Sequence, residues 1–122
     1  MQRILVCDDD GGTARTLRVI LRDAGFRVQA AASANEALDA APLRAPAAAI
    51  VELALPDAHG VDLCRQLREW SAIPLIVLSA IDEENHYKVR AVNAAADDYV
   101  TKPFAPRELV TRARTTLRAR SR

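Results

Sequence analysis

The sequence predicts an α/β fold: a doubly wound, five-stranded parallel sheet with five helices on its two faces. Three observations carry this. Short apolar runs alternate with stretches of helical spacing along the whole chain. The runs Ile4-Leu5-Val6-Cys7, Ala48 to Val51 and Leu75-Ile76-Val77-Leu78 are continuous, as in strands covered on both faces. The chain has 122 residues, half of them apolar, which suits one compact domain with a substantial core.

The first strand, Ile4 to Cys7, ends in a turn, Asp8-Asp9-Asp10-Gly11-Gly12. From Thr13, apolar Leu17, Ile20, Leu21 and Ala24 recur at helical spacing, and Gly25 closes that helix. Arg27 to Ala31 reads as the second strand. Ser33-Ala34-Asn35-Glu36 is a capping box that opens the second helix. Pro42 and Pro46 bracket the return to the third strand, Ala48 to Val51, which delivers a single charged residue, Glu52. A third helix begins near Gly60 and carries Val61, Leu63, Cys64 and Leu67. Pro74 precedes the fourth strand, which ends at Ser79. The fourth helix covers roughly Glu83 to Ala94, the fifth strand Asp98 to Thr101, and the fifth helix starts near Pro106.

Composition excludes several classes. Net charge is +1 with both signs spread along the chain, so no whole-domain nucleic-acid or membrane footprint is expected. No apolar run approaches the roughly 18 residues of a membrane span. Met1-Gln2-Arg3 leads straight into a strand, so no signal peptide is expected. Cys7 and Cys64 sit inside apolar patterns without metal or redox spacing and read as buried small hydrophobes. A reducing, cytoplasmic setting follows. His59 and His86 read as exposed and are assigned no role.

In open parallel sheets, ligands sit beyond the carboxyl ends of the strands, where strand order reverses. This chain sends Asp8, Asp9 and Asp10, then Glu52, Ser79, and Thr101-Lys102-Pro103 to those ends. Clustered carboxylates need a neutralising cation, and hard oxygen ligands suit Mg²⁺. A metal, a lysine and a hydroxyl are also the groups that hold a phosphoryl group.

At these residues the sequence resembles the receiver domain of two-component response regulators. "ILVCDDD", "LPDAHG", "IPLIVLSA" and "ADDYVTKPFAPREL" match its motif blocks in order and spacing. The resemblance implies a flavodoxin-like, CheY-like fold with strand order 2-1-3-4-5. It implies Mg²⁺ held by Asp9 with Asp8 assisting, beside position 52, and by the Ala54 backbone carbonyl. Ser79 matches the switch hydroxyl, Tyr99 the aromatic that turns inward on activation, and Lys102 the lysine that pairs with acceptor and phosphoryl oxygens. The Lys102–Pro103 bond would be cis. Within the family the chain is most similar to the subgroup with winged-helix DNA-binding output domains, and "REWSAIPLIVLSA" resembles its regulators of potassium-uptake operons. A sensor histidine kinase is the implied partner, and DNA is expected to be reached only through an output domain that is expected to lie outside this chain.

One residue departs from the family. The third-strand acceptor position is Asp in receivers and Glu52 here. The extra methylene moves the carboxylate about 1.5 Å outward, and in-line transfer needs reacting atoms aligned within roughly 3–3.5 Å. Glu52 is therefore expected to be a poor phosphoacceptor. The displacement also puts Glu52 within reach of Ser79 or Lys102, a partial stand-in for a phosphoryl group that biases the domain toward its active shape. The competing expectation is an inert Glu52–Lys102 ion pair in a phosphorylation-independent binding or dimerisation module. Ala95 stands where family members often have Gly, which suggests an altered helix end, and Gly11-Gly12 suggests a mobile metal loop.

The resemblance places the dimer face on the fourth helix, fifth strand and fifth helix. It matches Lys88, Asp97, Asp98, Glu108, Arg112 and Arg114 to charged positions there. Intersubunit pairs Lys88–Glu108 and Asp98–Arg112 are implied, with Asp97 near the latter, while Asn93 leaves Arg114 without its usual partner. Glu108 and Arg112 lie four apart, so an intrahelical pair competes. A distant enzyme alternative is a phosphatase of the haloacid dehalogenase type, with "DDDGGT" as its start and Asp8 as nucleophile. Gly12 in place of Thr or Val, Asp97-Asp98 ahead of Lys102, and the missing cap domain count against it.

Overall fold

The computed structural model describes residues 2–58, 60–80 and 96–120. Five strands are present: β1 (Arg3–Cys7), β2 (Arg27–Ala31), β3 (Ala48–Glu52), β4 (Leu75–Ala80) and β5 (Asp98–Lys102). All pair in parallel in the order β2-β1-β3-β4-β5. Four helices lie among the described residues: α1 (Gly11–Asp23), α2 (Ala34–Arg44), α3 (Gly60–Trp70) and α4 (Pro106–Arg120). The α4 segment is the fifth helix expected from sequence. The expected fourth, Glu83 to Ala94, lies outside the described residues, as do Lys88, Asn93, Ala95, His59 and His86.

Period-two alternation divides the core into two layers. Leu5, Cys7, Ala49, Val51, Leu75 and Val77 pack with Ala37 and Ala41 of α2 and with Leu63, Cys64 and Leu67 of α3. Ile4, Val6, Ile50, Ile76 and Leu78 face the other way, onto Leu17 and Leu21 of α1 and Leu109 and Ala113 of α4. Each fully buried Leu, Ile or Val contributes about 1.5–3 kcal/mol relative to exposure. That burial on both faces is why Ile4–Cys7 of β1, Ala48–Val51 of β3 and Leu75–Leu78 of β4 are unbroken apolar runs.

Helix ends follow local chemistry. α1 ends in a Schellman motif: Gly25 N–H donates to Arg22 O and Phe26 N–H to Leu21 O, with Gly25 at φ 95°. At its start the structure corrects the sequence reading. Gly11 and Gly12 are not a turn but the first helical residues, because Asp10 is the N-cap and its carboxylate accepts from Gly12 N and Thr13 Oγ1. The Ser33–Glu36 capping box forms as expected, with Glu36 N to Ser33 Oγ at 3.1 Å and Ala32 N to Glu36 Oε2 at 2.6 Å. Pro42 lies inside α2 rather than beyond it. It sits on the exposed side of the last turn, while Ala34, Ala37 and Ala41 are buried along the opposite face. That packing holds the helix to Arg44 despite the lost N–H.

Cys7 and Cys64 are free and buried. Burial pushes both thiols up to about 12 from 9.0; nearby carboxylates, led by Asp57, add to the effect at Cys7. A raised folded-state pKa stabilises fully below the unfolded thiol's value, near 8.5–9, and that stabilisation is lost as pH climbs toward 12. Unfolding free energy should therefore fall above pH 9. Urea unfolding at stepped pH is expected to show a slope shallower by about 1.4 kcal/mol per pH unit in Cys64→Ala than in the parent. An unchanged slope would show that the buried thiol does not carry the effect.

Candidate functional site

The sheet's order reverses between β1 and β3, which both start near the middle of the sheet and run side by side. Register places Cys7 opposite Val51, Glu52 opposite Leu78, Ser79 opposite Thr101 and Ala80 opposite Lys102. Asp8, Glu52, Ser79 and Lys102 thus leave the sheet at one edge. The two carboxylates among them, Asp8 and Glu52, are buried despite their charge.

Lys102 resolves that cost. Its ammonium lies 2.5 Å from Glu52 Oε2 and 3.2 Å from Asp8 Oδ2. The Asp8 side chain is 1% exposed and that of Lys102 25%, so the contacts are largely withdrawn from solvent, where ion pairs count for more. Burial alone would pull Lys102 down, but the close charge contact with Glu52 and the charge and hydrogen bond of Asp8 outweigh that and hold the ammonium above its ordinary range. The lysine stays charged well past neutral pH. Its stabilising contribution is complete below about pH 10.4 and is lost only as pH rises through the folded-state value.

The remaining oxygens are partly engaged. Asp8 Oδ1 accepts from Asp10 N at 2.9 Å, and Glu52 Oε1 accepts a long 3.4 Å bond from Ala54 N. Glu52 Oε2 receives no well-directed hydrogen bond; it meets Lys102 as a charge contact. Ser79 is buried nearby, yet its hydroxyl donates to Ala80 O at 3.1 Å. Of the two reaches expected for Glu52, the structure makes the one to Lys102 and gives Ser79 another partner. Tyr99 is half-buried against the core layer shared by α2 and α3. The Lys102–Pro103 peptide is cis.

The residues do not fit a ready-made Mg²⁺ site. The Lys102 ammonium already sits between the two buried carboxylates, where a cation would have to enter, and Asp9 stands exposed at the rim. Among the described residues no group of three or more His, Cys, Asp or Glu side chains gathers around a common point suited to a metal. Asp10, the third acid of the run, spends its carboxylate on capping α1.

Two supporting residues escaped the sequence reading. Gly60 packs on the backbone that carries Glu52. A Cβ there would press on the Glu52 carbonyl oxygen and lie 2.9 Å from Leu53 Cα, while Gly60 N–H donates to Leu53 O at 2.7 Å. The final glycine of "LPDAHG" was the available signal. Asp57, from the same loop, accepts from Ala34 N and Asn35 N at the start of α2. Those backbone bonds hold its carboxyl below the usual range and tie the β3–α3 loop to α2.

Charged residues on β5 and α4 find partners within the chain. Arg112 Nη1 contacts both Asp98 oxygens at 2.9 Å, and its Nε donates to Glu108 at 3.2 Å. The hydrogen bond to Asp98 raises the Arg112 guanidinium further. Asp97 turns away from this group: its Oδ2 accepts from Arg68 Nη2 at 2.6 Å and from Leu75 N at 2.7 Å. Arg114 donates to Ala24 O at 3.1 Å. No helix among the described residues is long and apolar enough to cross a membrane.

Known proteins share this pattern. The response regulator receiver domain family matches residues 4–114. The chain is 43% identical over 121 residues to the KDP operon transcriptional regulatory protein KdpE of Escherichia coli K12, covering 99% of this chain and 53% of that protein. It is 41% identical over 117 residues to the DNA-binding response regulator MtrA of Mycolicibacterium smegmatis, covering 96% and 51%. The chain thus spans about half the length of these relatives. A CheY-like receiver domain protein from Methanospirillum hungatei superposes with a TM-score of 0.88 at 29% identity, covering 99% of this chain and 97% of that one. With the sheet order, the acidic β1 end, the position-52 carboxylate and the β5 lysine all in place, the chain belongs to the response regulator receiver domain family.

Proposed function

We propose that this chain is the receiver part of a transcriptional response regulator whose output is not set by phosphoryl transfer to position 52. The observation that carries the reading is the 2.5 Å contact between Glu52 Oε2 and Lys102 Nζ. The lysine that would meet a phosphoryl oxygen already holds a carboxylate oxygen of the side chain at the acceptor position. A sensor histidine kinase delivering phosphate would meet a nucleophile displaced by about one carbon–carbon bond and locked to a cation.

The carboxylate is a partial substitute. It carries one charge, against about −1.5 to −2 and three acceptor oxygens on a phosphoryl group. It engages Lys102, while Ser79 donates elsewhere. A side chain shifts a two-state equilibrium only by its differential interaction with the two states, so the bias toward an active shape is moderate. The Ser79–Ala80 bond favours a second reading, in which the pair is inert and the domain is a constitutive binding module. In either case the domain signals by binding and turns over no substrate. Its partners are a second copy, through the face built on β5 and α4, and DNA through a separate output domain. Mg²⁺, held by Asp8, Asp9, Glu52 and the Ala54 carbonyl, would have to displace the Lys102 ammonium and is expected to bind weakly. Free thiols at Cys7 and Cys64 suit a cytoplasmic location.

Sedimentation of the parent and Glu52→Asp chains tests this reading. A small phosphodonor with Mg²⁺ is expected to increase self-association of the Asp version and leave the parent unchanged. If the untreated parent associates more than untreated Glu52→Asp and Glu52→Gln, the biased reading holds. Equal association of all three untreated chains supports the inert pair. A phosphodonor response in the parent would contradict both.

A further inference from the structure

The opposite end of the sheet carries a second concentration of charge. A cavity of about 480 Å³ opens there, lined by Arg3, Arg18, Arg22, Arg27 and Arg44 around Phe26. Arg3 and Arg27 begin β1 and β2 and are paired in register. Arg18 and Arg22 lie one turn apart on α1, and Arg44 closes α2. Asp8 follows the last residue of β1, and Glu52 and Lys102 close the parallel strands β3 and β5, so that site lies at the opposite end of the sheet.

No carboxylate lines the cavity. Among the described residues none of the five arginines forms an ion pair; one Arg3 nitrogen donates to Arg44 O at 3.3 Å. The chain as a whole carries a net charge of only +1. The balancing acids lie elsewhere on the chain, so five guanidiniums around one hollow with no acid in its lining make a local positive field.

We propose that this cavity binds a linear polyphosphate chain, inorganic or borne by a nucleotide. Guanidinium forks match phosphoryl oxygens in bidentate geometry. The volume falls in the range of small-molecule sites, with room for several linked phosphoryl groups. Donors from four different elements surround the hollow, an arrangement that suits a compact polyanion more than the groove-tracking stripe of a nucleic-acid surface. Phe26 is 7% exposed and offers no free face for stacking a base. A bound chain would tie α1 and the end of α2 to the starts of β1 and β2.

Calorimetric titration of the full chain with tripolyphosphate, orthophosphate and ATP, at fixed ionic strength and without divalent cation, tests this. Tripolyphosphate is expected to bind saturably at one site, to raise the melting temperature, and to bind at least about tenfold more tightly than orthophosphate. The Arg22→Gln/Arg27→Gln double variant is expected to lose at least about tenfold and to unfold like the parent without ligand. Arg65→Gln, an exposed change on α3, should bind as the parent does. ATP binding at least as tightly as tripolyphosphate identifies a nucleotide site, and weaker ATP binding an inorganic chain; both support the proposal. Binding that does not saturate, equal affinity for orthophosphate, an equal loss in Arg65→Gln, or tighter arginine-dependent binding of duplex DNA would overturn it.

Discussion

Replacing Lys102 with Met is expected to lower the unfolding free energy at pH 7 by about 2–3 kcal/mol, a drop of roughly 10 °C in melting temperature. The side chain removed is the cation against two buried carboxylates, Asp8 and Glu52. Breaking a buried pair on one side typically costs about 3–5 kcal/mol, because the remaining charge is left uncompensated. The lower figure reflects the partial exposure of Lys102. The same variant should gain what the parent lacks, an open acidic hollow. Millimolar Mg²⁺ is expected to raise its melting temperature clearly while leaving the parent nearly unmoved. Adding Glu52→Gln should restore part of the lost stability, since the two positions interact directly. Full stability in Lys102→Met, or equal Mg²⁺ stabilisation of parent and variant, would show that the lysine is not the internal cation.

Gly60→Ala is expected to cost about 2–3 kcal/mol, as over-packing against backbone does. The new methyl would meet the Glu52 carbonyl and Leu53 Cα, neither of which can rotate away as a flexible side-chain end would. The clash also shifts the residue whose carboxylate holds Lys102. Gly60→Ala should therefore weaken the Glu52–Lys102 coupling measured by a double-mutant cycle, an effect not expected from a simple loss of core packing. Urea unfolding of the four chains of the cycle, in both backgrounds, gives the answer. A loss under about 0.5 kcal/mol, the scale of an ordinary surface substitution, would mean that α3 moves aside freely.

Much of this architecture is legible in the residues, for identifiable reasons. Continuous apolar runs at β1, β3 and β4 mark strands buried on both faces, and their ends dictate which polar residues reach the reversal point of the sheet. Asp8, Glu52 and Ser79 follow from those ends and Lys102 from the end of β5, together with neighbours such as Asp9 and Asp10 that only the family resemblance sorts by role. Features set by one side chain reaching across a few bonds are less legible. Asp10 draws the start of α1 back to Gly11, although two glycines suggest a turn. Buried alanines hold α2 past Pro42, although a proline suggests a stop. Asp97 looks like a surface partner for Arg112, but Arg68 and the Leu75 amide, remote in sequence, claim it. Gly60 matters through contact with a strand end eight positions earlier, which spacing does not reveal.

The claim on which the rest depends is that the position-52 carboxylate is held by Lys102 and cannot take up phosphate. Intact mass of the parent and of Glu52→Asp, after identical treatment with a small phosphodonor and Mg²⁺, tests it most directly. The account predicts that only the Asp version gains the mass of one phosphoryl group. A parent chain that gains it too, at Glu52 and at a comparable rate, would contradict the account.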